Sequence, residues 1–461
     1  MFKVELPNIK KDEYNILDFN AIEGGLVSNT NQINNAIKKA NIDGGGTVII
    51  PKGLWLTGPI TLLSNVNLYL ERGSYLLFDK NKEEYPLIVT EYEGIKRVRC
   101  TSPINSKNQE NIKISGYGTI DGNGHLWRPL KEVKVTKKEW ERRLKISNYV
   151  NKGKEGGIWF PTRSSYEASH KDELNKFDLE SLKKEQDYYD FYRPVLLSLV
   201  NCNKILIEGV TICNSPAWNI HPLFCNNVTI RNCYIKNPFY AQNGDGLDLE
   251  SCTNCHIYNN TFEVGDDGIC IKSGKNKEAR IIKKPSENIY IHDCKVLHAH
   301  GGFVVGSEMS RGVKNIIVKD CIFEGTDIGI RFKTQMGRGG VVENIKIENI
   351  RMINIVNEAI IFTGEYFLTT IEKKEFVENE IKESLDDIPE FKNIELNNII
   401  CHNAKIALRI KGLKEKPIHD ITLSNSYFNC EDNLDINNSY NIILKNTTIN
   451  QKKYLNEDIS K

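Results

Sequence analysis

The sequence predicts an all-β fold, a parallel β-helix, on three observations. First, a short unit in which a polar residue, usually Asn, opens an alternating apolar run recurs along the chain. It reads Asn65-Val-Asn-Leu68, Asn111-Ile-Lys-Ile114, Asn227-Val-Thr-Ile230, Asn254-Cys-His-Ile257, Asn288-Ile-Tyr-Ile291, Asn315-Ile-Ile-Val318 and Asn344-Ile-Lys-Ile347, and continues to Asn441-Ile-Ile-Leu444. From Asn227 on, away from the second insertion, the spacing is 21 to 34 residues. Second, alternation with period two is the mark of a strand with one buried face. A second apolar pair often follows within the same repeat, as in Asn232-Cys-Tyr-Ile235, Asp293-Cys-Lys-Val296 and Asp320-Cys-Ile-Phe323. Two or three short strands per repeat make one coil, and a coil buries its apolar face only by stacking on its neighbours. Third, the hairpin dipeptides at 8–12-residue spacing that an antiparallel sandwich would show are missing.

Each element follows in order. Residues Asn31 to Asn41 place Ile33, Ala36, Ile37 and Ala40 on one helical face, with Thr30 or Asn31 as the cap. This is the N-terminal cap helix that an open stack of coils requires; with the first coil it covers about residues 20–60. Gly44-Gly45-Gly46 ends it, and Thr47-Val-Ile-Ile50 begins the first strand. Asn at one corner of successive coils suits αL turns and side-chain hydrogen-bond ladders. Two loop insertions interrupt the repeat, a Lys- and aromatic-rich one at about 127–193 and an acidic, helix-prone one at about 365–390. The first either lines a binding face or merely covers the flank, with the balance even; the second is expected to cover the flank. The whole chain, 1–461, is one domain.

Composition narrows the function. With 61 Lys+Arg against 60 Asp+Glu, the chain lacks the broad basic face of a nucleic-acid binder. No run is long enough for a membrane span. The N-terminal residues show no leader, and twelve cysteines read as reduced thiols, so a cytoplasmic location is expected. Cys252-Thr-Asn-Cys255-His256 has haem-attachment spacing, but Cys255 fills the apolar position of a repeat strand. Cys233, Cys294 and Cys321 share one repeat position and read as a buried ladder.

The chemistry lies between Asn243 and Lys333. Asp245 and Asp266 are 21 residues apart, about one coil, so they can stand side by side with Asp267 adjacent. Clustered carboxylates repel, so at least one pKa should rise, dividing the group into a protonated acid and an ionised base. Isolated Asp residues in turns usually cap backbone amides, but a run of three flanked by glycines favours catalysis. Asp248 and Glu250 stay ambiguous. His300 follows, and Gly301-Gly302 after it would let the backbone approach a ligand closely. Arg331 and Lys333 alternate on one strand, face the same way and suit an anion.

These motifs resemble glycoside hydrolase family 28, the polygalacturonases, from the cap helix to the last coils. The family's Asn-Thr-Asp, Gly-Asp-Asp, Gly-His-Gly and Arg-Ile-Lys elements read here Asn243-Gly-Asp245, Gly265-Asp266-Asp267, Ala299-His300-Gly301 and Arg331-Phe332-Lys333. Gly244, Ala299 and Phe332 depart from the pattern and put the finer substrate preference in doubt. The resemblance implies a right-handed parallel β-helix and inverting hydrolysis of α-1,4-galacturonosyl linkages, with no cofactor and no metal. Asp266 would be the general acid, Asp245 and Asp267 would activate water, and His300 would tune the acid. Arg331 and Lys333 would hold the uronate carboxylate, with Asn243 and Tyr366 also on the sugar. Inverting pairs ordinarily stand about 6.5–9.5 Å apart.

The segment Ser215-Pro-Ala-Trp218-Asn-Ile-His221 and the segment from Tyr85 to Gly94 resemble the exo-acting bacterial branch. This makes Trp218 and His221 substrate-binding candidates and the first insertion the wall that closes the cleft. The partner is a galacturonan oligosaccharide or pectin, with no nucleic acid and no membrane; the sequence leaves oligomeric state open. The alternatives are a rhamnogalacturonan or xylogalacturonan hydrolase, a Ca²⁺-dependent pectate lyase and a non-catalytic carbohydrate-binding β-helix.

Overall fold

The computed structural model describes residues 2–461 apart from 154–155, 172–184 and 367–384. Among the described residues, eleven parallel strands form one ribbon, running in chain order from Ile60–Thr61 to Asp432–Asn437. A 24-stranded sheet, parallel but for its last strand, wraps the rest of the solenoid. The alternation expected of the repeat is what stacks. Ile220, Leu247, Ile269, Phe303, Ile330 and Ile360 pair strand to strand and point into the core. Residues one step along face outward, so every second residue of the eleven-stranded ribbon belongs to an exterior face on which a site can be built.

The Asn corners behave as the repeat predicts. Asn227, Asn254, Asn288, Asn315 and Asn344 all have positive φ near 57°. Their amides form a ladder, with Asn254 donating to Asn226, Asn288 to Asn254 and Asn315 to Asn288 at 3.0, 3.2 and 3.3 Å. Cys233, Cys294 and Cys321 are buried, as is Cys255 at its strand position between Val228 and Ile289.

The cap helix spans Thr30–Ile42 and buries Ile33, Ala36, Ile37 and Ala40 completely. Its cap is neither Thr30 nor Asn31. The cap position is Asn29, whose side chain ties the preceding loop through Ile22 and Val27 instead of capping the helix. Thr30 accepts from the Gly58 amide and hydrogen-bonds Glu84.

Two irregular elements cover the N-terminal end of the exterior face. Strands Leu87–Tyr92 and Ile95–Cys100 form an antiparallel hairpin. Both tip residues have positive φ, Glu93 at 54° and Gly94 at 69°, the tight turn whose twist suits a two-residue loop. The first insertion folds on its own small core of Leu130, Trp140 and Trp159, with a three-stranded antiparallel sheet and the helix Lys137–Leu144. Of the second insertion, 367–384 lie outside the described residues.

Candidate active site

The strand Asp267–Lys272 and the turns before it and its neighbours bring the expected residues together. One oxygen each of Asp245, Asp266 and Asp267 lies within 4.8 Å of the others. This is tighter than the wide gap expected of an inverting pair. It still suits a water placed between two of them, since one water donating both protons at ~2.8 Å spans acceptors roughly 4.5 Å apart. Asp245 and Asp267 are buried on the floor, while the Asp266 side chain keeps 19% of its exposure and is the carboxylate a ligand can reach.

The expected division of charge occurs, but not as assigned. Burial pushes the Asp245 carboxyl well up, reinforced by the charges of Asp248 and Asp266. Burial also acts to raise Asp266, but the hydrogen bond from His300, with the charges of Lys333 and Lys134 nearby, outweighs it and holds this carboxyl below the usual range. The residue expected to be the protonated acid is therefore more readily ionised than Asp245. Asp266 also accepts from the amides of Asn243 and Asp267 at 3.2 and 3.1 Å, bonds that favour the carboxylate.

His300 sits between Asp266 and a residue that sequence reasoning did not find. His300 Nδ1 is 3.1 Å from Asp266 Oδ1, and Lys134 Nζ is 2.6 Å from His300 Nε2. A lysine ammonium can only donate, so this contact assigns the acceptor role to Nε2 and leaves Nδ1–H pointing at Asp266. Lys134 belongs to the first insertion, which therefore reaches the catalytic group. Asp327 stands 3.7 Å from His300 Nε2.

Arg331 and Lys333 do face one way. Lys333 Nζ is 2.6 Å from Asp267 Oδ2, and Arg331 Nη1 is 3.9 Å from Oδ1. Burial acts to lower the Lys333 pKa, but the Asp267 charge holds it above the ordinary value. Tyr366 lies against both cations, its ring centroid 5.2 Å from the Arg331 guanidinium carbon and 5.0 Å from Lys333 Nζ. The three carboxylates are spaced to ligate a divalent ion, yet Lys333 already holds one oxygen of Asp267, and an ammonium at that distance repels a second cation.

Other expectations are corrected. Trp218 and His221 are 4% and 1% exposed and do not line the cleft. Trp218 is stacked under Tyr92 of the hairpin at 4.4 Å, and His221 is bonded to the buried Glu250 at 2.8 Å. Both brace the wall. Gly301 does face the catalytic carboxylates, since a Cβ there would lie 3.5 Å from Asp267 Oδ1, but one on Gly302 would strike the core ring of Phe323. Asp248 is fully buried beneath the site, 3.6 Å from Lys272. The three departures are packing changes. Phe332 points inward and stacks on Phe362 at 4.5 Å, Ala299 is buried, and a Cβ on Gly244 would meet Ala241 at 2.6 Å. Arg193, at the end of the first insertion, donates to Asn243 Oδ1 at 2.9 Å and was likewise not anticipated.

The family model for glycosyl hydrolases family 28 matches residues 181–383. A probable polygalacturonase of Vitis vinifera is 27% identical over 420 residues, covering 89% of this chain and 73% of that one. An exo-poly-alpha-D-galacturonosidase of Dickeya chrysanthemi is 28% identical over 360 residues, 76% of this chain and 57% of that longer protein. The crystal structure of a hyperthermoactive exopolygalacturonase from Thermotoga maritima superimposes with a TM-score of 0.79 at 28% identity, covering 99% of this chain and 96% of that one.

Proposed function

We propose that this chain, which belongs to glycoside hydrolase family 28 and has its right-handed parallel β-helix, removes galacturonate units from one end of a galacturonan chain. It is a pectin-degrading glycosidase. The observation that carries end-on cleavage is the closed end of the cleft. The hairpin stacks on Trp218, and Arg193, at the end of the first insertion, reaches Asn243, so the face is covered on that side of the carboxylates. The likeness to exo-acting relatives supports the same reading.

In this reading Asp266 protonates the glycosidic oxygen, as the reachable carboxylate. Asp245 and Asp267 hold the attacking water between them, and Asp267, the carboxylate paired with Lys333, takes its proton as the new bond to the sugar forms. Arg331 and Lys333 take the uronate carboxylate, with Tyr366 beside them. Filling these cations with substrate carboxylate removes positive charge near Asp266 and raises its pKa, which readies it to give up a proton only when the site is occupied. The mechanism calls for no metal. Twelve free thiols support a cytoplasmic enzyme working on oligogalacturonides.

The test is a time course on polygalacturonate and trigalacturonate with chelator present, with product anomers followed by proton NMR. Saturated monogalacturonate from the first points, released with inverted configuration, is expected. Mixed oligomers with rapid viscosity loss would reject end-on action. Unsaturated products, or silence in chelator, would move the chain to a calcium-dependent lyase. No turnover of either substrate would favour a decorated galacturonan or a non-catalytic role.

A further inference from the structure

The closed end of the cleft is a pocket with its own charge. A cavity of about 540 Å³ lies among Tyr92, Arg99, Trp127, Arg193, Asn243 and Lys275, between the hairpin and the first insertion. It reaches the catalytic group directly, because the Asn243 amide that closes it donates to Asp266. Two carboxylates line it, Glu93 and Asp190, and each is already paired, with Lys275 and Lys82.

Two of its arginines, Arg193 and Arg99, are different. Arg193 spends its guanidinium on neutral acceptors, the carbonyls of Pro216 and Gln242 at 3.1 and 3.0 Å and the Asn243 side chain. Arg99 lies 3.8 Å over the Tyr92 ring, and its Nε is buried with no hydrogen-bond partner. Among the described residues neither guanidinium has a carboxylate partner. Burial and the neighbouring charge of Arg99 both push the Arg193 pKa down, the response of two like charges sharing a poorly solvated space. Two guanidiniums held together in this way, one with a buried donor to spare, have the chemistry of an anion site.

The position decides the anion. Arg331 and Lys333 lie on strand Ile330–Lys333, on one side of the carboxylates, and this pocket lies on the other, toward strand Ile220–Leu223. A polyuronate spanning the cleft puts one carboxylate at each. We propose that Arg99, with Arg193 as second donor, binds the carboxylate of the terminal uronate, so that the enzyme requires a free acid at that end of the chain. Tyr92 orients Arg99 by stacking, and Asn243 links the occupied pocket to Asp266. The inference rests on the end-acting reading above.

The test compares trigalacturonate with two isomers in which one terminal carboxylate, at the non-reducing or the reducing end, is reduced to the alcohol. The wild-type enzyme is expected to lose roughly 10- to 100-fold in kcat/KM on one isomer, the cost of a charged hydrogen bond left unmade. Arg99→Met should lose the same order on the parent and no longer distinguish the parent from that isomer. Arg99→Lys should recover part, and it decides by the same ratio if Arg99→Met does not fold. If the wild type tolerates both isomers, or Arg99→Met keeps the wild-type ratio, the pocket assignment is wrong while end-on hydrolysis stands. Mixed oligomers from polygalacturonate would remove the end-acting reading and this inference with it.

Discussion

Asp266 is asked to donate a proton, yet the protein groups around it favour its carboxylate. The groups that face it are the His300 ring, Lys134 beyond that ring, Lys333 across the floor, the amides of Asn243 and Asp267, and the buried carboxylates of Asp245 and Asp267. Lys134 is the member that can be removed without emptying the floor. Its ammonium acts on Asp266 through space and fixes the imidazole by taking Nε2. Removing a cation destabilises the carboxylate, so the Asp266 pKa rises and its protonated form persists to higher pH. Lys134→Met should therefore move the alkaline limb of kcat/KM upward by up to about one pH unit, with a lower maximum as the imidazole loses its orientation. A profile merely scaled down, with both limbs in place, would make Lys134 a structural prop. Lys134→Arg should restore the wild-type limb. This contact joins residues 166 apart through a loop with no repeat, so no spacing in the sequence could have indicated it.

At the scale of elements, the coil corners carry the regularity. Asn288 has φ of 57°, donates to Asn254 and accepts from Asn315. Asn288→Ala loses both ladder bonds and puts Ala in αL, which should cost about 1–3 kcal/mol. Asn288→Gly loses the same bonds but relieves the backbone, so it should cost less. Urea denaturation of the two variants separates the terms, and equal costs would mean that αL strain contributes nothing at this corner. These corners were legible in the sequence because each coil repeats them, and the same holds for the floor of the site. One coil between Asp245 and Asp266 puts them side by side, and alternation aims Arg331 and Lys333 together. Trp218 and His221 misled because they also sit in a coil, and only the hairpin folded over them shows that they are covered.

For the whole molecule the governing fact is a charge balance of +1 with the cations gathered locally. A broad basic surface would attract polygalacturonate along its length, and its salt dependence would steepen with substrate length. Here the cations that face the substrate are confined to the catalytic group and the closed pocket, while the insertions and flanks carry both signs. Beyond about 8–10 Å at ordinary ionic strength the remainder of the chain exerts little field. Raising salt from about 0.05 to 0.5 M should thus increase KM severalfold with kcat nearly unchanged, since exposed charges are screened and the buried floor is not. The increase should be the same for trigalacturonate as for the polymer, because both present the same terminal carboxylates to the same cations. A far steeper effect for the polymer would point to contacts along its length, which an enzyme with a closed cleft and a neutral exterior does not make.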